Sequence, residues 1–286
     1  MNPNTIADGL LTGGFYALIA LGLSLVFGVL RLVNLAHGEF IVGGAYLASI
    51  LSAGLGLDPL LMLPVVALAA AATGFLIQRH LLTGLLLRGA EGPLVATFGL
   101  SIVAQAVFAA VFSYNPVSLR APYAAAGIQL LGVQVRGISL IAAVAAMLLC
   151  AGGYLVLTRT RVGAAVRAAA ADPQTASLMG INVRRVYAVV FAAGAAIASV
   201  GGVLVGLAFS VTPTTGPQYL VVAIAVVVLG GIGSVWGTLL GGVLIGLVQA
   251  LGTQAFGGGY GVLAVYVVFL LVLTVRPAGL LGRRLG

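Results

Sequence analysis

The sequence predicts an all-α polytopic membrane protein with about eight or nine transmembrane helices, some of them glycine-broken or re-entrant. Three observations lead there. The 286 residues are 62% hydrophobic and only 6% charged, with a mean hydropathy of +1.23, whereas soluble domains carry roughly a quarter charged residues. Apolar runs of about 18 residues or more recur along the chain, long enough to cross a bilayer core of about 30 Å. The runs are continuous rather than alternating in segments of about ten, which selects helices over a barrel.

Breaks at Gly, Pro and charged residues place spans near 9–30, 39–57, 60–78, 93–113, 138–158, 187–211, 218–230, 238–254 and 259–275. The first follows Asp8 and stops at Arg31; with no positive residue before it, it reads as a retained helix rather than a cleaved signal. The second ends at Asp58-Pro59, the third at Gln78-Arg79, and the fourth starts after Glu91-Gly92. The fifth lies between Arg136 and Arg159, and the sixth follows Arg184-Arg185. The seventh is short for a crossing, so it reads as a half-helix or as merged with the eighth. Gly257, Gly258 and Gly259 separate the last two. Residues 1–286 thus form one transmembrane domain. Gly194, Ala198, Gly202 and Gly206, and again Gly233, Gly237 and Gly241, recur every four residues, the spacing at which helix backbones approach closely in lipid.

All 13 basic residues are arginine. Without lysine there is no P-loop and no Schiff base, so nucleotide hydrolysis by the usual phosphate cradle is excluded, and energy must come from elsewhere. The single cysteine, Cys150, excludes an internal disulfide. With nine spans and an outward N-terminus, Arg31, Arg79, Arg88, Arg159 to Arg185, Arg276, Arg283 and Arg284 fall on the cytoplasmic side, as does the C-terminus. Arg120 and Arg136 fall outside. The positive-inside rule favours this orientation, so the net charge of +8 needs no nucleic-acid partner.

Three segments interrupt the apolar pattern. Arg31 to Phe40 sets Arg31, Asn34, His37, Gly38 and Glu39 between two spans, and ionisable groups at membrane depth are functional candidates. His37 and Glu39 lie two apart, on different sides of a continuous helix, which disfavours a shared metal. The residues leave three roles open: Asn34 and His37 bonding unwound backbone while Glu39 pairs with Arg31 or a helix end; direct lining of a solute path; or proton coupling. The second segment, Leu229 to Gly242, breaks apolar sequence with Gly231, Gly233, Ser234 and Gly237. Unwound backbone at depth must be buried in protein or line a wet cavity, so a path between the two breaks is expected. The third segment is the loop from Arg159 to Tyr187. In it Asp172 suits an N-cap, Pro173 a first helical position and Gly180 a terminator, which predicts a short helix over 173–179. Composition leaves that helix open to headgroup binding or partner docking.

Tyr16 to Phe40, with Asn34-Leu-Ala-His37-Gly38-Glu39-Phe40 inside it, Gly231-Ile-Gly-Ser-Val-Trp-Gly-Thr-Leu-Leu-Gly-Gly242, and Gly163-x3-Arg167-Ala168-x3-Asp172-x3-Ala176-x3-Gly180-Ile181 closely resemble permease subunits of branched-chain amino-acid ABC importers, of the LivH type. The resemblance covers nearly the whole chain. It implies a subunit of the bacterial inner membrane, not itself an enzyme, that pairs with a second homologous permease, two cytoplasmic ATPases and a periplasmic or extracellular binding protein. It holds no cofactor, and ATP is used by the partners. The loop at about 159–186, with Gly163, Arg167, Asp172, Pro173, Ala176 and Gly180, stands where the family meets its ATPase. The rival readings are an ion-coupled secondary transporter, weakened because Glu39 would carry protons alone, and an ABC permease for urea, amides or aromatic acids. An intramembrane enzyme is disfavoured because no nucleophile, base and orienting group converge.

Overall fold

The structure, a computed structural model, describes residues 3–86, 91–130, 133–275 and 279; Arg88, Arg276, Arg283 and Arg284 lie outside the described residues. Apart from a single turn at Pro122–Ala125, its helices are α1 (Pro3–Leu30), α2 (His37–Leu55), α3 (Pro59–Leu86), α4 (Glu91–Phe112), α5 (Gly137–Arg159), α6 (Arg161–Ala171), α7 (Pro173–Leu178), α8 (Val183–Ala208), α9 (Gly216–Gly230), α10 (Val235–Phe256) and α11 (Tyr260–Val275). Seven of them, α1 to α5, α8 and α10, are long and apolar enough to cross a membrane, and α9 and α11 are shorter apolar helices. The chain is an all-α, multi-pass membrane protein. A small antiparallel hairpin, β1 (Gly127–Leu130) and β2 (Val133–Arg136), precedes α5.

The centre is a pair of antiparallel helices, α1 and α8, the most buried of the long apolar helices. Glycine makes their contact possible. A Cβ on Gly22 would meet the Gly194 carbonyl carbon at 3.2 Å, and one on Gly194 would meet a Val26 methyl at 2.5 Å. The same device seats α10 antiparallel on the outer face of α1: a Cβ on Gly13 would lie 2.5 Å from Val243 Cα, and one on Gly28 would lie 2.6 Å from Gly233 Cα. In lipid, where apolar burial supplies no net drive between helices, such backbone proximity supplies dispersion contacts instead. The four-residue glycine ladders read from the sequence are therefore packing faces.

The packing has an internal two-fold logic that the sequence did not show. Helices α1, α2, α3 and α4 correspond to α8, α9, α10 and α11. Thus α3 packs on α8 as α10 packs on α1, α2 packs on α8 as α9 packs on α1, and α4 meets α2 as α11 meets α9. Because α1 and α8 are antiparallel, the two units are inverted. Helices α5, α6 and α7 are inserted between them.

The short helices α2 and α9 meet at their first residues. A Cβ on Gly38 would fall 2.5 Å from the Gly216 carbonyl carbon and 3.0 Å from its Cα. Gly54, in the last turn of the same α2, faces open space. We expect Gly38→Ala to lower the thermal stability of the purified protein by about 1–3 kcal/mol through overpacking, while Gly54→Ala holds or raises it by up to about 1 kcal/mol; unfolding in detergent measures both.

Candidate functional site

Helix α1 ends because Arg31 turns left-handed, at φ 52°, while its N–H still bonds the Phe27 carbonyl at 3.0 Å. Such a φ is uncommon for a large side chain. The chain then doubles back along α1. In this unwound stretch the Asn34 Oδ1 accepts the Ala36 N–H at 3.1 Å, the Asn34 carbonyl accepts the His37 N–H at 3.1 Å, and the Leu35 N–H donates to Thr97 Oγ1 at 3.2 Å. His37 Nε2 donates to the Ile19 carbonyl at 2.8 Å. Ile19 precedes Leu30 by 11 residues, about 16 Å of helix, so α2 starts near the middle of the membrane. Residues 209–215 bring the chain to the same depth from the opposite end, and α9 starts there at Gly216. Asn34 bonds unwound backbone as expected, but His37 instead clamps the start of α2 to an intact helix.

Glu39, only 5% exposed, stands in the first turn of α2 and against the first residue of α9. Its Oε1 accepts Ser101 Oγ and Gln105 Nε2, both at 3.0 Å and both from α4. Its Oε2 is buried with no hydrogen-bond partner among the described residues. Two helix N-termini favour negative charge at this place. Of the two pairings expected, with Arg31 or with a helix end, the structure has the second; Arg31 lines a cleft at the far end of α1, with Leu30, Pro173 and Gly180. An apolar cavity of about 250 Å³ adjoins Glu39 between α2, α3 and α4, walled by Gly43, Gly44, Ala70 and Leu100.

The glycine segment lies elsewhere. Gly231 and Gly233 have φ 100° and 74°, and Ser234 Oγ caps α10 by accepting the Gly237 N–H at 3.1 Å. Gly237 seats against Gly230, and Gly233 against Gly28. This places the segment at the level of Gly28, about 13 Å from that of Ile19 along α1, so the two sequence breaks do not face each other. The break that meets Glu39 is Thr212-Pro-Thr-Thr-Gly-Pro217. Its turn chemistry was legible, whereas its depth was not.

Seven of the described arginines, Arg31, Arg79, Arg159, Arg161, Arg167, Arg184 and Arg185, gather at the end where α1 stops, and Arg120 and Arg136 at the other. At the arginine-rich end the predicted short helix is α7, and the loop also holds α6, which the sequence reading missed. Gly163 lets the first turn of α6 press on the carbonyls of Val156 and Leu157, and Thr160 Oγ1 caps it through the Gly163 N–H at 3.0 Å. Asp172 caps α7 through the Gln174 N–H at 2.9 Å and through Thr175 Oγ1. Those bonds, that from the Thr175 hydroxyl first, hold its carboxyl below the ordinary range, so the cap is intact at neutral pH. Gly180, at φ 82°, terminates the helix, with the Ile181 N–H returning to the Ala176 carbonyl at 3.1 Å. Ala176 is buried, yet Leu178 and Met179 are 87% and 79% exposed, and Arg167 points outward on α6.

At the opposite end a cavity of about 630 Å³ descends between α1, α8 and α10. Thr5, Asp8, Thr12 and Tyr16 line it from one face of α1, and Gln249 and Thr253 from α10. The spacing of three or four residues in both sets was the available sequence signal.

A family described as the branched-chain amino acid transport system permease component matches residues 5–275. The chain is 36% identical to the high-affinity branched-chain amino acid transport system permease protein BraD of Pseudomonas aeruginosa, over 97% of this chain and 95% of that one. It is 32% identical to LivH of Escherichia coli K12, over 96% and 94%, and 30% identical to a probable LivH of Methanocaldococcus jannaschii, over 93% and 88%. No solved structure matches.

The Glu39 geometry separates hydrogen bonding from charge. Glu39→Gln keeps an acceptor for Ser101 and Gln105, whereas Glu39→Leu removes the acceptor of the Ser101 hydroxyl and leaves Gln105 Nε2 only its 3.0 Å bond to Ser101 Oγ, at about 1–3 kcal/mol. Thermal unfolding is expected to show the leucine variant clearly less stable than the glutamine variant.

Proposed function

The chain belongs to the branched-chain amino acid transport permease family, and from that membership we propose that it carries branched-chain or related hydrophobic amino acids inward as the membrane subunit of an ABC importer. It is a transport subunit rather than an enzyme. The chain has no lysine, so ATP is bound and split by two separate cytoplasmic ATPases. A second homologous permease completes the translocation path, and an external binding protein delivers the solute. The setting is a bacterial inner membrane, with the arginine-rich end and the C-terminus in the cytoplasm, as the positive-inside rule favours.

The observation that carries the coupling reading is the tip formed by α6 and α7. Ala176 anchors α7 to the bundle while Leu178 and Met179 project from it, an apolar pair set among arginines beyond the end of α1. An exposed apolar patch with a polar rim is the ordinary form of a protein-docking surface. Gly163, Asp172, Pro173 and Gly180 shape and stop the two helices, and Arg167 offers charge at the rim. Asn182 Oδ1 accepts the Arg185 N–H at 3.0 Å, so the docking helix leads within a few residues into the capped start of α8. A push on α7 thus reaches the central helix directly. At mid-depth, Asn34, His37, Gly38 and Glu39 hold the helix break beside the path, and Gly231, Gly233, Ser234 and Gly237 lock α9 and α10 to the inner end of α1.

In proteoliposomes holding the complete importer, leucine uptake is expected to require ATP and to survive a protonophore; uptake that collapses with the proton gradient contradicts this function. Replacing residues 173–178 by a Gly/Ser segment is expected to leave membrane insertion intact while uptake per ATP hydrolysed falls at least about tenfold, the loss of a docking hot spot. Uptake at the unmodified level after that exchange rules out the docking role.

A further inference from the structure

The cavity between the outer halves of α1, α8 and α10 has a polarity that matches one class of solute. Its mouth carries both signs of charge, Asp8 from α1 and Arg136 from the end of β2. Neither has an ion-pair partner among the described residues. They sit at similar depth. The Gln134 N–H donates to Asn4 Oδ1 at 3.3 Å, and Ala143 lies against Gly14, so β2 and α5 run inward alongside α1. From the Asn4 and Gln134 level, one helical turn leads to Asp8 and two strand residues lead to Arg136, each an advance of about 6 Å.

Below the mouth, Thr12 and Thr253 give way to Tyr16, whose hydroxyl donates to Gln249 Oε1. The floor is apolar, made by Ile19 with Tyr219 from the first turn of α9 beside it, while Val205, and Phe209 against Phe15, wall the levels above. From Asp8 to Ile19 is 11 residues, about 16 Å. The cavity therefore runs from the membrane surface to the depth of the helix break. Hydroxyls and amides facing one cavity from two transmembrane helices belong in water or against a polar solute, since lipid would leave them unsatisfied.

We propose that this cavity is a binding vestibule for a free α-amino acid in its zwitterionic form, a site that rests on the amino-acid reading above. The ammonium meets Asp8, the carboxylate meets Arg136, and the aliphatic side chain packs on Ala208 and Phe209, which line the cavity beside Arg136. The cavity beside Glu39 does not fit such a solute: its one open polar atom is a carboxylate oxygen, with no donor for the solute's own carboxylate.

The test uses the complete importer in proteoliposomes. First, Thr12→Cys is treated with a membrane-impermeant thiol reagent from the outside; the native Cys150 is buried and serves as the background. The reagent is expected to modify Thr12→Cys, and leucine to slow the reaction more than isovalerate or isoamylamine, which each carry one of its two charges. Second, Asp8→Asn and Arg136→Gln, each checked for co-purification with the partner subunits, are expected to lower leucine uptake per ATP by about tenfold or more, the scale of one charge-assisted hydrogen bond. An unreactive Thr12→Cys, equal protection by leucine and both single-charge analogues, or assembled variants with uptake per ATP at the unmodified level overturns the vestibule. An unmodified importer that takes up no leucine overturns the amino-acid reading instead.

Discussion

The architecture depends on two helices that begin inside the membrane. The first N–H groups of a helix have no partner within it, and hydrocarbon offers no water to replace one. The chain meets this cost at both starts by short-range means. Before α2, the Asn34 side chain and the carbonyls of Asn34 and Ala36 take up the N–H groups of Ala36, His37 and Glu39. Before α9, Thr215 Oγ1 accepts the Thr212 N–H, its carbonyl accepts that of Tyr219, and Pro217 removes a donor altogether. Only glycines permit the two starts to touch. Gly38 and Gly216 bring them close enough that Glu39 sits against both, held on its far side by Ser101 and Gln105.

That junction ties the two inverted units together through helices that also reach the membrane surfaces. Helix α1 anchors His37 at Ile19, lines the outer cavity with Tyr16, and ends at Arg31 beside α7. Helix α8 begins just after α7, and its Ser199 Oγ donates to the Phe40 carbonyl at 2.8 Å in the first turns of α2. A movement at the α6–α7 tip therefore has a continuous rigid route to mid-depth. Close-packed backbones transmit displacement rather than absorbing it.

Much of this was legible in the sequence, for reasons that differ by element. Hydropathy exposes spans because lipid imposes a minimum apolar length, and the predicted positions coincide with the nine apolar helices to within a few residues at most ends. The cap and stop signals of α7 are local, so Asp172, Pro173 and Gly180 could be read directly. Helix α6 was missed although its pattern is amphipathic, with Gly163, Val166 and Ala169 three residues apart on the buried face and Arg161 and Arg167 exposed; the whole stretch between Arg159 and Tyr187 was read as loop around the one short helix. The partner of Glu39 was missed for another reason: Ser101 and Gln105 lie more than sixty residues away, and only the tertiary fold joins them. The depth of α2 was equally hidden, since six residues of connection look the same whether they cross a surface or fold back into the bundle.

The glycine contacts also decide where a solute can go in this conformation. From the end opposite the arginine cluster, the polar cavity leads down to Ile19 and Tyr219 and stops at the helix junction. Beneath it, Gly22 lies on Gly194 and Gly28 on Gly233, too close for a single added methyl, so among the described residues the arginine-side halves of α1, α8 and α10 leave no channel between them. The conformation is open at the end opposite the arginine cluster and closed at the arginine-rich end. Passage to the arginine-rich side then has two routes, separating those glycine pairs or leaving sideways at mid-depth. Separation would break dispersion contacts along several turns at once and expose backbone to water. A sideways exit disturbs only the loosely packed surroundings of α4, whose long apolar face is already exposed. The lesser cost of the second route places the inward half of the path at a boundary of the chain, where a second subunit would supply the facing wall.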